Sequence, residues 1–258
     1  MTIASTIAIP TIEAPSQPRR VWNVVRLHFV NRMIYLGIPW IIVGATWIVS
    51  MVIGILIVAN STGTGRAKAF EGMGNSWAVL SPLWYLVVVG VLAIAQSFPF
   101  ALGLSVTRRD FYLGTALTFV VIGSGNALAF AVLTEIERAT SGWGIGTRMF
   151  TALWFGSQPF LVNLLSYLVI CLGVFFIGSC IATIYMRWRV VGMLVFWLGL
   201  VAALVIVGVV VTLANGWATL FESLVSLGVA GIFGWLAVLV AAAAVFGYLI
   251  LRRATPKN

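Results

Sequence analysis

Six stretches of this chain run for the depth of a bilayer without one Lys, Arg, Asp or Glu: Ile34 to Val58, Val79 to Leu102, Phe111 to Leu133, Leu161 to Tyr185, Val190 to Ala214 and Val225 to Leu251. At about 1.5 Å per residue, each is long enough as a helix to cross a hydrocarbon core of about 30 Å. Lipid offers backbone groups no hydrogen bonds, so such a stretch must satisfy them within itself, as a helix does. The expected fold is an all-α integral membrane protein with six transmembrane helices. Only 8% of the 258 residues are charged, against about 25% in an ordinary globular chain. A water-facing surface cannot be built from so few charges, which excludes a soluble enzyme or a nucleic-acid binder. The division between the fourth and fifth stretches rests on Arg187 and Arg189.

Six crossings return both termini to one side, so the basic residues sort into two groups. Arg19, Arg20, Arg26, Arg32, Arg108, Arg109, Arg187, Arg189, Arg252, Arg253 and Lys257 fall on the side of the termini; Arg66, Lys68, Arg138 and Arg148 fall on the other. Basic residues are retained on the cytoplasmic side, which predicts an N-in/C-in topology. The net charge of +9 therefore records orientation rather than an affinity for nucleic acid. Glu71, Glu135, Glu137 and Glu222 belong to the external side. Trp40, Trp77, Trp84, Trp143, Trp154, Trp188 and Trp217 fall near span ends, where indoles anchor at the interface.

Several chemistries lack their residues. The single histidine, His28, precedes the first span and reads as an interfacial residue. No span holds an acid, so neither a metal cluster nor a proton relay can be assembled within the membrane. There is no GxxxxGK[ST] phosphate-binding loop, and ATP, if used, must be bound by another subunit. Cys171 and Cys180 lie nine residues apart, on opposite faces of one helix, and read as packing residues.

The chain divides into a flexible cytoplasmic tail over 1–18, an amphipathic interfacial helix over 19–33, the six-helix domain over 34–251 and a basic tail over 252–258. In the helix before the first span, Trp22, Val25, Phe29 and Met33 share an apolar arc while Arg20, Asn23, Arg26 and Asn31 lie elsewhere. Thr107 followed three residues later by Asp110 has the form of a capping box, which starts a helix near Arg108. Its dibasic opening suits docking to a cytoplasmic partner, with Arg108 and Arg109 pairing to carboxylates and Phe111 and Tyr112 supplying apolar contact.

The run Leu104-Ser105-Val106-Thr107-Arg108-Arg109-Asp110-Phe111-Tyr112-Leu113-Gly114 resembles the segment after the second span of ABC-2 type exporter permeases. In that family the segment is a coupling helix that contacts the ATPase subunit. The resemblance implies coupling roles for Thr107, Arg108, Arg109, Asp110 and Phe111, and a second contact at Arg187 and Arg189. It also implies a bacterial inner membrane location, an ABC ATPase partner carrying ATP and Mg, and a second permease copy or homologue. The short connection from Asn215 to Ser226 departs from the re-entrant helices that many such permeases carry before the last span.

Uncharged polar residues within the spans, Gln96, Ser124, Asn126, Asn163 and Ser166, mark candidate pathway positions, because polar groups avoid lipid. Each could equally join helix to helix. The expected function is a permease subunit of an ATP-driven exporter of apolar or amphipathic cargo, itself without an enzymatic site or cofactor. The alternatives are a substrate-binding membrane subunit of an uptake system and a non-transporting scaffold or protection protein.

Overall fold

A computed structural model describes residues 16–253, with side chains placed up to Arg252. The tails expected over 1–18 and 252–258 lie largely outside this range, as does Lys257. Every long element among the described residues is a helix. Five helical stretches are long and apolar enough to cross a membrane: Met33–Asn60, Gly63–Gly103, Arg108–Ala139, Phe160–Leu213 and Trp217–Arg252.

The difference from six stretches lies in the fourth. Helix α7, Phe160–Leu213, runs for 54 residues, about 80 Å at the helical rise and more than twice the hydrocarbon thickness. It is interrupted at Arg189, whose φ of 55° and ψ of −144° leave the helical region. Two helical limbs, 160–188 and 190–213, therefore meet at the basic residue that divides the sequence pattern. A second break corrects the expected sixth stretch. In α8, Trp217–Arg253, Gly228 adopts φ 61° and ψ 179°, a conformation essentially restricted to glycine. The helix that reaches the C-terminal end is continuous only after it, rather than from Val225.

At the N-terminal end, α1 spans Gln17–His28, with Pro18 in its first turn where no amide partner is needed. Its buried face shares only Val25 with the predicted arc. Val24, Val25 and His28 are buried, whereas Trp22 is 56% and Met33 57% exposed. The reason is α6, Arg108–Ala139: Gly114 offers α1 a place without a side chain, and a Cβ there would meet Val24 Cβ at 2.5 Å and the Val21 carbonyl at 2.8 Å. The helix thus turns a β-branched face toward protein, which an apolarity pattern does not distinguish from a face turned toward lipid.

A π-type turn at Met33–Gly37 leads into α2, Ile38–Asn60, and α3, Gly63–Gly74, folds the following connection into a helix. The next apolar stretch is built from α4, Ser81–Ala95, and α5, Ser97–Gly103, joined at Gln96. The main core lies among α4, α6 and the first limb of α7, where Leu86, Val89, Phe119 and Phe175 are buried and Phe119 stacks on Phe175 at 4.8 Å. α4 and α7 cross at two glycines: a Cβ on Gly90 would lie 2.5 Å from the Phe175 carbonyl oxygen and 3.2 Å from Gly178 Cα. Close backbone approach at small residues is the membrane substitute for hydrophobic association, since lipid tails are as apolar as the side chains. Cys171 and Cys180 are both free, and Cys180 Sγ donates to the Ala243 carbonyl at 3.1 Å.

Candidate functional site

The sequence points to the turn between α5 and α6. A second core of Val24, Ile94, Phe98, Ala101, Phe111, Ala182 and Leu251 draws α1, α4, α5, α6, α7 and the end of α8 together beneath it. Thr107 is the N-cap of α6, and its hydroxyl accepts the Asp110 amide at 3.2 Å. One orphan donor of the helix start is thereby satisfied. The Asp110 carboxylate meets the Thr107 side chain and also reaches α1, where Arg20 Nε donates to Oδ2 at 2.7 Å, and the acid is 2% exposed. Arg108 Nη1 donates at 3.1 Å to the Arg252 carbonyl near the end of α8, where a cation also meets the negative end of the helix dipole.

The apolar half of the expected docking surface is corrected. Phe111 is fully buried, 5.2 Å from the Phe98 ring and 6.1 Å from that of His28. Tyr112 is buried too, its hydroxyl donating to the Ala244 carbonyl and its ring 5.4 Å from Tyr248. Both lie on the face of α6 that packs into the second core. Exposed apolar groups at the turn come from residues the sequence reading passed over, Phe100 at 58% and Leu104 at 61%. Thr107 and Arg109 are exposed beside them, and Arg108 is half-buried. The second expected contact has Arg187 over the Trp188 ring at 4.7 Å and Arg189 exposed at the break in α7.

His28, expected as an interfacial residue, is buried against protein, 3% exposed. Its Nδ1 lies 2.8 Å from the Tyr35 hydroxyl and its Nε2 2.9 Å from Thr115 Oγ1. Thr115 spends its own proton on the Phe111 carbonyl, so Nε2 is the donor and Nδ1 accepts from Tyr35. This network suits the neutral ring, and burial pushes the His28 pKa down from 6.5 to about 4. Because the unfolded chain takes up the proton first, the neutral ring's contribution is complete above pH 6.5 and is lost as pH falls from about 6.5 toward 4. Thermal melts from pH 7 to 4.5 are expected to show a fall in Tm that is flattened in His28→Gln. Parallel slopes in the two proteins would contradict this.

The five pathway candidates are not brought together. Gln96 and Ser124 are on the outer surface. Asn126 Oδ1 accepts from Trp40 Nε1 at 3.2 Å, and Asn163 Nδ2 donates to the Phe155 and Gln158 carbonyls at 2.9 and 3.3 Å. Ser166 is buried in α7 with no hydrogen-bond partner among the described residues.

The far end of α6 carries a feature the sequence did not signal. Asp110 and Glu137 are separated by about 40 Å of helix, and Glu137, assigned from sequence to an external connection, is 1% exposed. Its two oxygens receive Trp143 Nε1 at 2.9 Å, the amides of Met149, Phe150 and Thr151 at 3.0, 3.2 and 2.8 Å, and Thr151 Oγ1 at 2.6 Å. A carboxylate at a helix C-terminus is disfavoured by the dipole, and here five donors from one loop offset that cost. The loop itself uses left-handed backbone at Gly142, Gly144 and Gly146, which provides the only advance hint in its Gly-rich sequence. Beside it opens a polar cavity of about 590 Å³, lined by Glu71, Arg138, Arg148 and Thr151 among others. Trp77, Trp84, Trp188 and Trp217 are exposed as interfacial anchors would be, whereas Trp40 and Trp143 turn inward to Asn126 and Glu137. Among the described residues no cluster of three His, Cys, Asp or Glu side chains could hold a metal ion. Compared with family models, curated proteins and solved structures, the chain matches none of them.

Proposed function

We propose that this chain is the membrane permease subunit of an ATP-driven exporter of the ABC-2 type, moving an apolar or amphipathic cargo. In this reading the two limbs of α7 are separate crossings, giving six spans with both termini in the cytoplasm of a bacterial inner membrane. A separate ABC ATPase binds ATP and Mg, and a second permease copy or homologue completes the pathway.

One observation carries the proposal: the turn before α6 exposes a cation and apolar groups together while neighbouring residues grip two other helices. Arg109, Leu104 and Phe100 are exposed there, and the adjoining Asp110 and Arg108 bond to α1 and α8. A partner pressing on the turn would therefore move α1, α6 and α8 as a unit, the requirement for coupling an ATPase cycle to the spans. The largely uncharged spans favour cargo without strong ionic character.

Arg108→Glu/Arg109→Glu is expected to insert and remain monodisperse but to lose a co-purifying ATPase by at least tenfold. Arg109→Glu alone should produce most of this loss, because Arg108 also serves the α8 carbonyl. Full recovery of the ATPase and of transport by the double variant would overturn the coupling assignment. A chain isolated from native membranes with no ATPase would favour the scaffold or stand-alone binding alternatives.

A further inference from the structure

Where the start of α6 meets the end of α8, an open groove of about 380 Å³ is lined by Arg109, Tyr112, Leu113, Ala244, Val245 and Tyr248. The two helices run antiparallel here: Arg108 reaches the Arg252 carbonyl and, one turn further along α6, Tyr112 reaches the Ala244 carbonyl. Arg109 and Tyr248 therefore lie nearer the helix ends, with Leu113 and Val245 about one turn deeper. Arg252, which is exposed, follows Tyr248 by a further turn on the same face of α8. Two polar groups of the groove are accessible and unspent. Arg109 is exposed and makes no hydrogen bond among the described residues, while the adjoining Asp110 is buried and bonded to Arg20. Tyr248 is half-buried, and its hydroxyl is neither bonded among the described residues nor closed off from the surface. Leu113 is 40% and Val245 58% exposed, and no acid lines the groove.

The order of chemistry along the groove selects one occupant. A bilayer is about 40–45 Å thick with its headgroups and about 30 Å without them, which leaves about 5–8 Å of polar interface in each leaflet. Arg109 and Leu113 are about 6 Å apart along α6. With both helices crossing a bilayer, as their length and apolarity allow, a cation stands at headgroup depth, a phenol hydroxyl beside it, and apolar side chains where acyl chains begin. A guanidinium meets phosphate with two parallel N–H donors, and positive charge with no acid in the lining favours a headgroup of net negative charge. We propose that the α6/α8 groove binds an anionic phospholipid, its phosphate on Arg109, an ester oxygen accepting from the Tyr248 hydroxyl, and its acyl chains against Leu113 and Val245. This requires that α6 and α8 cross a bilayer and does not depend on the exporter reading. With five N–H donors, Arg109 can hold the phosphate and still meet a partner's carboxylate.

The test uses the purified full chain in a maltoside detergent, without any partner, titrated with phosphatidylglycerol or phosphatidylcholine of identical chains. Each lipid carries a diazirine near the head of one acyl chain, and the labelled residues are mapped by mass spectrometry after illumination. Saturable labelling is expected at 109–113 and 244–248, with half-saturation at about fivefold lower concentration for phosphatidylglycerol. Arg109→Gln should remove that preference, and Tyr248→Phe should raise both half-saturating concentrations about fivefold while keeping it. Arg26→Gln removes an exposed arginine of α1 and should change neither quantity. Equal half-saturation by the two lipids, labelling confined to other segments, a preference that survives Arg109→Gln, or its equal loss in Arg26→Gln would each overturn the groove. No ATPase is present, so none of these results bears on coupling.

Discussion

Gly178→Leu is expected to abolish the folded, monodisperse protein. A Cβ at this position would fall well inside contact distance of the Val87 carbonyl oxygen and 3.0 Å from the Val91 amide nitrogen. The obstructing atoms are backbone, so no rotamer change can accommodate the new side chain. α4 and α7 would have to separate, and with them the contacts of Leu86, Val89 and Phe175, all of them fully buried. Overpacking usually costs about 1–3 kcal/mol and occasionally more, and displacement of a helix crossing falls at or above the upper end of that range. Size-exclusion chromatography and thermal melts should show aggregation or a collapse in Tm. Gly208→Leu is the matched control: a Cβ there meets nothing within 4 Å, and near-normal behaviour is expected. Equal behaviour of the two variants would show that the crossing can yield.

The second large effect is expected from Glu137→Ala, which leaves five donors of one loop without their shared acceptor. Each buried donor left without its acceptor costs about 1–3 kcal/mol, because the remaining groups stay desolvated. The loss should be local in its first expression. Hydrogen exchange of the Met149, Phe150 and Thr151 amides should accelerate by orders of magnitude, and the 142–157 loop should become sensitive to protease. Glu137→Gln keeps one acceptor oxygen and should fall between. Glu135 provides the contrast, since its pair with Arg138 at 2.9 Å is about one-third exposed on both sides. Such pairs contribute about 0–1 kcal/mol, and Glu135→Ala should leave the loop protected. Unaltered exchange in Glu137→Ala would refute its role as the anchor.

What the sequence made legible follows from the physics of each signal. Apolar length located the helices long enough to cross a membrane because the requirement is one-dimensional: enough residues without charge. The Thr107 cap was legible because it depends on residues three apart on one chain. The break at Arg189 fell where two arginines interrupt an otherwise apolar run, although the helix continues on either side of it.

The orientation of α1 was not legible, since Val24 and Trp22 are both apolar and only the absence of a side chain at Gly114 decides which one meets protein. Phe111 fell on the wrong side of the surface for the same reason: aromatic character marks a residue that can be buried, and the tertiary partner sets the direction. Phe100 and Leu104 were given no docking role because exposed apolar residues in or beside a membrane segment look like part of it. Glu137 was counted as an external charge because its five donors come from a loop that closes back onto α6 only in three dimensions.

The first turns of α6 hold Arg20 through Asp110, the Arg252 carbonyl through Arg108 and the Ala244 carbonyl through Tyr112. The chain between Arg20 and Arg252 is consequently closed into a ring by one clasp. Tension that draws α1 away from α8 is borne by the same few residues of α6. Such a pull should open that clasp before it reaches the Phe119–Phe175 stack, so forces entering through these two helices are mechanically addressed to a single point.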